Sequence, residues 1–403
     1  MFVSDFILPN DSAFIRRSEP LFWRASLALF CGAFVTFANL YSTQALLPLL
    51  AKKFSISPAA ASLSLSVATI ALAVSLLFTP SLSDRLGRKS VMLSSLALTS
   101  LLGFAVTFAE HYSLLLLLRA LQGASLAGLA SIAMTYVSEE FSNDCRTLAM
   151  GLYVSGTAVG GMTGRIITGS LTEYYGWETA LQVLAFVSLI CTLLFAFMLP
   201  QSKHFSVRTF SIQGLLKGFG YHLKQPDQLG RFIHGFLLMG GLVSLYNYVG
   251  FRLSTAPYLL GESQIGWLFS IYLLGIFSST WLGSKADRHG HRKVLLYSIA
   301  MMLIAVLLSL SPNLLLLILS LGLFTFGFFG AHSIVSSWTG LVAKSYKAQA
   351  SALYLLFYYV GSSVMGVVGG YFWSHWYWPG VVALVTGLVL VSGFIAWMSP
   401  KEA

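Results

Sequence analysis

The chain has 403 residues, of which 56% are apolar and 9% charged, and it carries a net charge of +10. A soluble domain carries about 25% charged residues, so this composition excludes a water-soluble globule. The apolar runs are continuous rather than alternating, which excludes a membrane β-barrel and predicts an all-α membrane protein with spans of about 20 residues.

The basic excess lies in the loops between apolar runs, so the partner it indicates is a lipid bilayer and not nucleic acid. Cys31, Cys145 and Cys191 show no metal-ligand spacing, and no metal, cofactor or catalytic group is expected.

In chain order, residues 1–22, with Arg16-Arg17, are predicted to form a cytoplasmic leader. A first six-helix lobe covers 23–200, with spans at roughly 25–50, 58–83, 90–109, 112–138, 147–172 and 177–199. A cytoplasmic linker, 201–229, holds Lys203, Arg208, Lys217 and Lys224 and an interfacial helix from Ile212 to His222. A second six-helix lobe covers 230–403, with spans at roughly 230–256, 264–284, 294–310, 313–342, 348–373 and 377–398. With the N-terminus inside, 19 Lys and Arg fall in cytoplasmic segments, Lys401 among them, and 3 outside. That bias puts both termini in the cytoplasm.

The loop between the second and third spans reads Asp84-Arg85-Leu86-Gly87-Arg88-Lys89, and 203 residues later the chain reads Asp287-Arg288-His289-Gly290-His291-Arg292-Lys293. A feature that returns once per half marks an internal duplication. Gly87 permits the tight turn, and each basic residue is drawn to an anionic leaflet by roughly 1 kcal/mol. Asp84 opposes that charge trend. An acid at this boundary can pair with an arginine or a helix N-terminus, a contact that can be made and broken as two halves move. Asp84, Arg85, Gly87, Arg88, Asp287 and Arg288 are therefore read as a cytoplasmic gate.

Further on, Arg119-Ala120-Leu121-Gln122-Gly123 lies inside the fourth span. Arginine at a helix centre costs about 2.5–3.5 kcal/mol on insertion scales, so it is expected to face a polar cavity with Gln122, one turn away. In the fifth span, Gly156, Gly160, Gly161 and Gly164 provide small-residue packing ahead of Arg165. At an offset of 205, Gly156, Gly161 and Gly164 fall on Gly361, Gly366 and Gly369, whereas Arg165 falls on Gly370. At an offset of 204, Gly123 falls on Gly327, Arg119 on Leu323 and Gly128 on His332. Repeated glycines read as scaffold; unrepeated charges read as function. Asn39, Gln44, Arg119, Gln122, Arg165, Asn247, His332 and Tyr358 are the expected cavity residues. No acid lies in the middle of a span, so His332 or the boundary acid Glu139 is the expected proton carrier, and two arginines without an acid favour an anionic or polar neutral substrate.

Pro80-Ser81-Leu82-Ser83-Asp84-Arg85-Leu86-Gly87-Arg88-Lys89 resembles the loop signature of the major facilitator superfamily, and Gly283-Ser284-Lys285-Ala286-Asp287-Arg288-His289-Gly290 resembles its second-half echo. Arg119-x-x-Gln122-Gly123 is similar to the family's fourth-helix pattern. Gly156 to Arg165 is similar to its antiporter motif, with Gly161 for proline and Arg165 for the last glycine. Met134 to Glu140, Ala331-His332-Ser333 and Tyr358 to Ser363 resemble bacterial YnfM-type, arabinose-efflux-like inner-membrane permeases, a drug–proton antiporter-like group. The resemblance implies two pseudo-symmetric lobes and alternating access. It also implies proton-coupled efflux of a small molecule by a monomer in the bacterial inner membrane. Asp84 would touch the start of the eleventh span, Arg88 would pair with Glu139 or Glu140, and Pro80, where the family has glycine, would stiffen the end of the second span. A gradient-independent facilitator, an importer, a receptor and a membrane enzyme are the alternatives.

Overall fold

The structure, a computed structural model, describes residues 14–204 and 212–399. The first thirteen leader residues, Arg208 and Lys401 lie outside the described residues. The first half contains α1 (Pro20–Tyr41), α2 (Leu47–Lys53), α3 (Pro58–Ser75), α4 (Thr79–Leu86), α5 (Arg88–Val106), α6 (Tyr112–Glu140) and α7 (Arg146–Met198). After α8 (Ile212–Leu223), in the linker, come α9 (Pro226–Leu253), α10 (Glu262–Leu268), α11 (Tyr272–His289), α12 (His291–Leu308), α13 (Leu314–Val342) and α14 (Lys347–Met398).

Ten helical segments among the described residues are long and apolar enough to cross a bilayer. Two of these, α7 and α14, have 53 and 52 residues. A straight helix of that length would reach about 80 Å, against a hydrocarbon core of about 30 Å. Each instead turns at one non-helical residue, Gly176 in α7 and Tyr377 in α14, and so supplies two spans. The total is twelve, six per half, as the hydropathy pattern predicts.

Two spans differ from their expected form. The first stops at Tyr41, passes through a short 3₁₀ turn at Gln44–Leu46 and resumes as α2. Pro48 at the start of α2 has no N–H to continue the ladder. The second is interrupted at 76–78, and α4 restarts with Pro80 in its first turn. Pro80 thus sits at a break in the span, where stiffening was expected. At the ends of α4 and α11 the chain turns through Gly87 (φ 90°) and Gly290 (φ 89°), a backbone region open mainly to glycine.

Within each half, one helix pair packs almost backbone to backbone. A Cβ on Gly156 or Gly160 of α7 would lie 2.6 or 2.4 Å from the carbonyl oxygen of Phe30 or Phe34 in α1, and one on Gly164 would lie 2.6 Å from the Ala38 Cα. The counterpart pair is α9 with α14, where a Cβ on Gly361 would lie 2.2 Å from the Phe236 carbonyl oxygen. Gly366 and Gly369 meet side chains there, of Asn247 at 3.2 Å and Tyr248 at 2.7 Å. Gly161 differs from the packing role expected of it: the nearest atom to its Cβ position is Arg165 Nη1, at 3.6 Å. Gly161, about 100° round the helix from Gly160, meets α1 only at ordinary contact distance, through the Tyr41 and Phe37 side chains at 3.8 and 4.0 Å.

The halves meet along α3 with α14 and along α7 with α10. Ser263 N–H donates to Glu173 Oε2 at 2.9 Å, Ser62 Oγ donates to the Gly366 carbonyl at 3.1 Å, and Ser363 Oγ donates to the Ser66 carbonyl at 3.0 Å. Thr69 and Ser363 hydroxyls lie 2.7 Å apart. This seam occupies the end of the molecule remote from the 84–89 and 287–293 loops. On the loop side, α4 packs on α5 and α6 of its own half.

Gly160→Ala should lower the stability of the purified protein by about 1–3 kcal/mol through overpacking, read as an earlier thermal unfolding transition. Gly161→Ala should unfold with the wild type; a loss as large as that of Gly160→Ala would contradict the packing described.

Candidate functional site

Where α1 ends inside the apolar interior, its last carbonyls lose their helical partners and need others. Arg119 of α6, 1% exposed, supplies them. Its Nη1 donates to the Asn39 carbonyl at 2.9 Å and its Nη2 to the Leu40 carbonyl at 2.6 Å. Nε donates to the Ser64 carbonyl of α3 at 3.0 Å, and Nη1 also donates to Gln122 Oε1 at 2.6 Å. The guanidinium charge also lies at the negative end of the α1 dipole. Gln122 Nε2 in turn donates to Asn39 Oδ1 at 3.2 Å, and Asn39 Nδ2 donates to Ser188 Oγ at 2.8 Å. Arg119, Gln122 and Asn39, expected on the cavity wall, thus form a knot inside the first lobe. Arg119 is satisfied in part by the break in α1, and Gln122 and Asn39 by each other, the Thr99 and Val35 carbonyls and Ser188.

The same break turns Gln44 toward the second lobe. Gln44 Oε1 accepts from Arg165 Nε at 2.7 Å, and Gln44 Nε2 donates to Asn247 Oδ1 of α9 at 2.7 Å. The chain Arg165–Gln44–Asn247 is therefore a polar bridge across the lobes. Arg165, 2% exposed, also donates from Nη1 to the Gly161 carbonyl at 2.5 Å. Rings from both lobes enclose its guanidinium: Tyr41 at 4.1 Å, Phe269 at 4.7 Å and Tyr272 at 4.9 Å from centroid to Cζ. Among the described residues no hydrogen bond is recorded for Arg165 Nη2.

On the second lobe, His332 Nδ1 shares a 2.8 Å hydrogen bond with the Tyr354 hydroxyl, and its ring lies 4.7 Å from that of Tyr358. Both His332 and Tyr358 are half-buried. Gln44, Arg165 and Asn247 thus meet at the lobe interface, with His332 and Tyr358 joined to each other on α13 and α14. Phe269 and Tyr272 were not singled out in the sequence. The available signal was their spacing of three, which places two aromatics on one face of a helical turn.

At the basic-loop end, Arg88 is buried. It donates from Nε and Nη2 to the two oxygens of Glu139, at 3.0 and 2.9 Å. Its Nη1 donates to Asp84 Oδ1 at 2.6 Å and to Ser83 Oγ at 3.0 Å. Asp84 therefore meets Arg88 of its own lobe in this structure, where contact with the start of the eleventh span was expected.

Glu140, one position further along α6, has a different task. Its Oε1 accepts from the N–H groups of Lys203 and His204 at 2.8 and 3.0 Å. Its carbonyl accepts from Ile15 N–H at 2.9 Å. It fastens the linker and the N-terminal segment, and the Arg88–Asp84–Glu139 cluster forms without it. In the second copy, Asp287 lies 3.8 Å from His291 Nε2. Arg85 and Arg288 are exposed.

Comparison with known proteins places this geometry. The profile described as Major Facilitator Superfamily matches residues 29–256 and 253–403. The chain is 43% identical over 387 residues to a Bacillus subtilis (strain 168) protein named as the uncharacterized MFS-type transporter YybF, covering 95% of this chain and 96% of that one. It is 41% identical over 384 residues to the inner membrane transport protein YnfM of Escherichia coli (strain K12), covering 95% and 92%. Two solved structures share the fold. A bacterial homolog of the human lysosomal transporter Spinster, inward-facing and unoccupied, has a TM-score of 0.77 at 13% identity, covering 95% of this chain and 97% of its own. A mutant of the nucleoside transporter NupG has a TM-score of 0.77 at 16% identity, covering 94% and 100%. The chain belongs to the major facilitator superfamily and is a multi-pass membrane transporter, not an enzyme.

Proposed function

We propose that this transporter exports a small anionic or polar molecule in exchange for protons, by alternating access, as a monomer in the bacterial inner membrane with both termini cytoplasmic. The observation that carries the reading is Arg165. It is a buried guanidinium at the interface of two lobes, enclosed by rings from both and linked through Gln44 to Asn247. A cation in this position makes an anion the complementary cargo.

The Lys and Arg distribution puts the basic loops inside, so a seam closed at the remote end corresponds to an inward-open state. Reaching the other state requires the lobes to part along α3–α14 and α7–α10 and to close over Asp84. Glu139 is committed to Arg88 by both oxygens, which leaves His332 as the titratable side chain on the cavity wall. An imidazole can hold a proton on either ring nitrogen, and Nδ1 of His332 faces the Tyr354 hydroxyl at 2.8 Å. No cofactor enters this scheme; the proton gradient supplies the drive.

In proteoliposomes, an imposed pH gradient should accelerate substrate movement with matching proton counterflow, and His332→Gln should remove the acceleration while downhill exchange persists. Flux indifferent to the gradient in the wild type would make the protein a facilitator.

Asp84→Asn should cut flux while shifting stability by less than about 1 kcal/mol, because Arg88 keeps its bidentate hold on Glu139. Glu139→Gln should lower stability by about 1–3 kcal/mol, read by thermal unfolding. Unchanged flux in Asp84→Asn would remove Asp84 from the gate.

A further inference from the structure

We infer that the cargo is a monoanion built on an aromatic ring, with its carboxylate on Arg165 and its ring among Tyr272, Phe269 and Tyr358. This rests on the reading of Arg165 as the anion site and goes beyond it by fixing both the charge and the body of the ligand.

The charge follows from counting the cations that are available. Two arginines lie inside spans, but Arg119 donates to four acceptors of its own lobe and faces the end of α1. Arg165 has its Nε and Nη1 engaged with Gln44 and Gly161, so Nη2 is the nitrogen left to a ligand. That one nitrogen carries a single charge-assisted hydrogen bond to one carboxylate. A second negative charge on the ligand would enter an enclosure walled by rings and would meet a counter-charge only while His332 holds its proton. A neutral ligand would leave the buried guanidinium without a counter-charge. The hydroxyls of Tyr41, Tyr272 and Tyr358 have no recorded hydrogen-bond partner among the described residues, and they supply further donors for carboxylate oxygens.

The body follows from the walls. Tyr41, Phe269 and Tyr272 stand within 4.1 to 4.9 Å of the guanidinium carbon, and on the second lobe the Tyr358 and His332 rings lie 4.7 Å apart. Tyr272, Tyr358 and His332 are half-buried, so each presents part of its ring to open space. A planar aromatic body can stack offset or edge-on against such faces, which a saturated body of equal size cannot do. A hydrophilic anion such as a small sugar acid or inorganic phosphate would instead exchange its hydration for ring faces.

The test is equilibrium binding to the purified full-length protein of four matched probes: naphthoate, naphthamide, the saturated decalin carboxylate and naphthalene dicarboxylate. Naphthoate should bind at least about tenfold more tightly than each of the other three. Arg165→Gln should erase the advantage of naphthoate over naphthamide. Tyr272→Leu should narrow its advantage over the saturated acid. Thermal unfolding of both variants checks that they are folded, and the wild-type ranking needs no variant.

Equal affinity for the saturated acid or for the dicarboxylate would overturn the aromatic monoanion, and Arg165 would survive as the anion site as long as Arg165→Gln weakens those acids. Acids that fail to bind, or that bind equally well to folded Arg165→Gln, would overturn both readings.

Discussion

A backbone carbonyl buried in a membrane protein has to find a donor inside the protein, and the break after Tyr41 creates several that have lost theirs. Arg119 answers for Leu40 and shares the Asn39 carbonyl with the N–H and hydroxyl of Ser42, and Thr168 Oγ donates to the Ser42 carbonyl at 3.0 Å. Much of the site depends on this repair. If α1 ran on as a straight helix, Gln44 would follow its spiral. Because it does not, Gln44 can accept from Arg165 and donate to Asn247 at once. Arg119 thereby bears on the surroundings of Arg165 without touching it.

The duplication explains why only one of the two halves needs such a repair. The glycine contacts that join α1 to α7 recur between α9 and α14, so those helix pairs correspond. Yet α9 runs unbroken from Pro226 to Leu253, through the stretch that matches the break in α1. No carbonyls are freed there, and Leu323 stands where Arg119 would be. The rule that an unrepeated charge marks function thus fails for Arg119, whose charge meets backbone carbonyls of its own lobe. Arg119 is unrepeated because the backbone defect it mends is unrepeated. Arg165 mends nothing comparable, which is why its charge is read as meant for a ligand.

The helical spans, the two halves and the basic loops were legible in the sequence because hydropathy and charge are summed over many residues. The inward faces were not, because they depend on a rotation of about 100° per residue set by neighbouring helices. Glu139 and Glu140 show this directly: adjacent in sequence, one holds Arg88 and the other holds the linker at Lys203 and His204. Asn39 and Gln44 show it over a longer stretch, where a kink in the span sends one into the lobe and the other across the interface. In the sequence Pro80 reads as stiffening the end of the second span, and Pro48 was not singled out. What no local pattern revealed was how the chain would replace the lost hydrogen bonds.

The two basic loops are alike in turn and unlike in charge, and the difference bears on how firmly each is held. Gly87 and Gly290 adopt nearly the same φ, so the turn is conserved between halves. Arg88, however, is matched 203 residues later by His291, and at the offset that aligns Gly123 with Gly327, Glu139 is matched by Ala343. The first loop is held by a guanidinium fork on two carboxylates, a geometry that imidazole cannot reproduce. The second has an exposed Asp287 at 3.8 Å from His291, whose ring stacks on Trp338 at a centroid distance of 5.6 Å. Under alternating access, the charge cluster keeps α4, α5 and α6 together as one body. The contacts that change are then those between lobes, where hydroxyl bonds such as Thr69–Ser363 and Ser62–Gly366 stand beside the Ser263 N–H on the Glu173 carboxylate and the Gln44–Asn247 amide pair. None of these is a guanidinium forked across two carboxylates, as Arg88 is inside the first lobe.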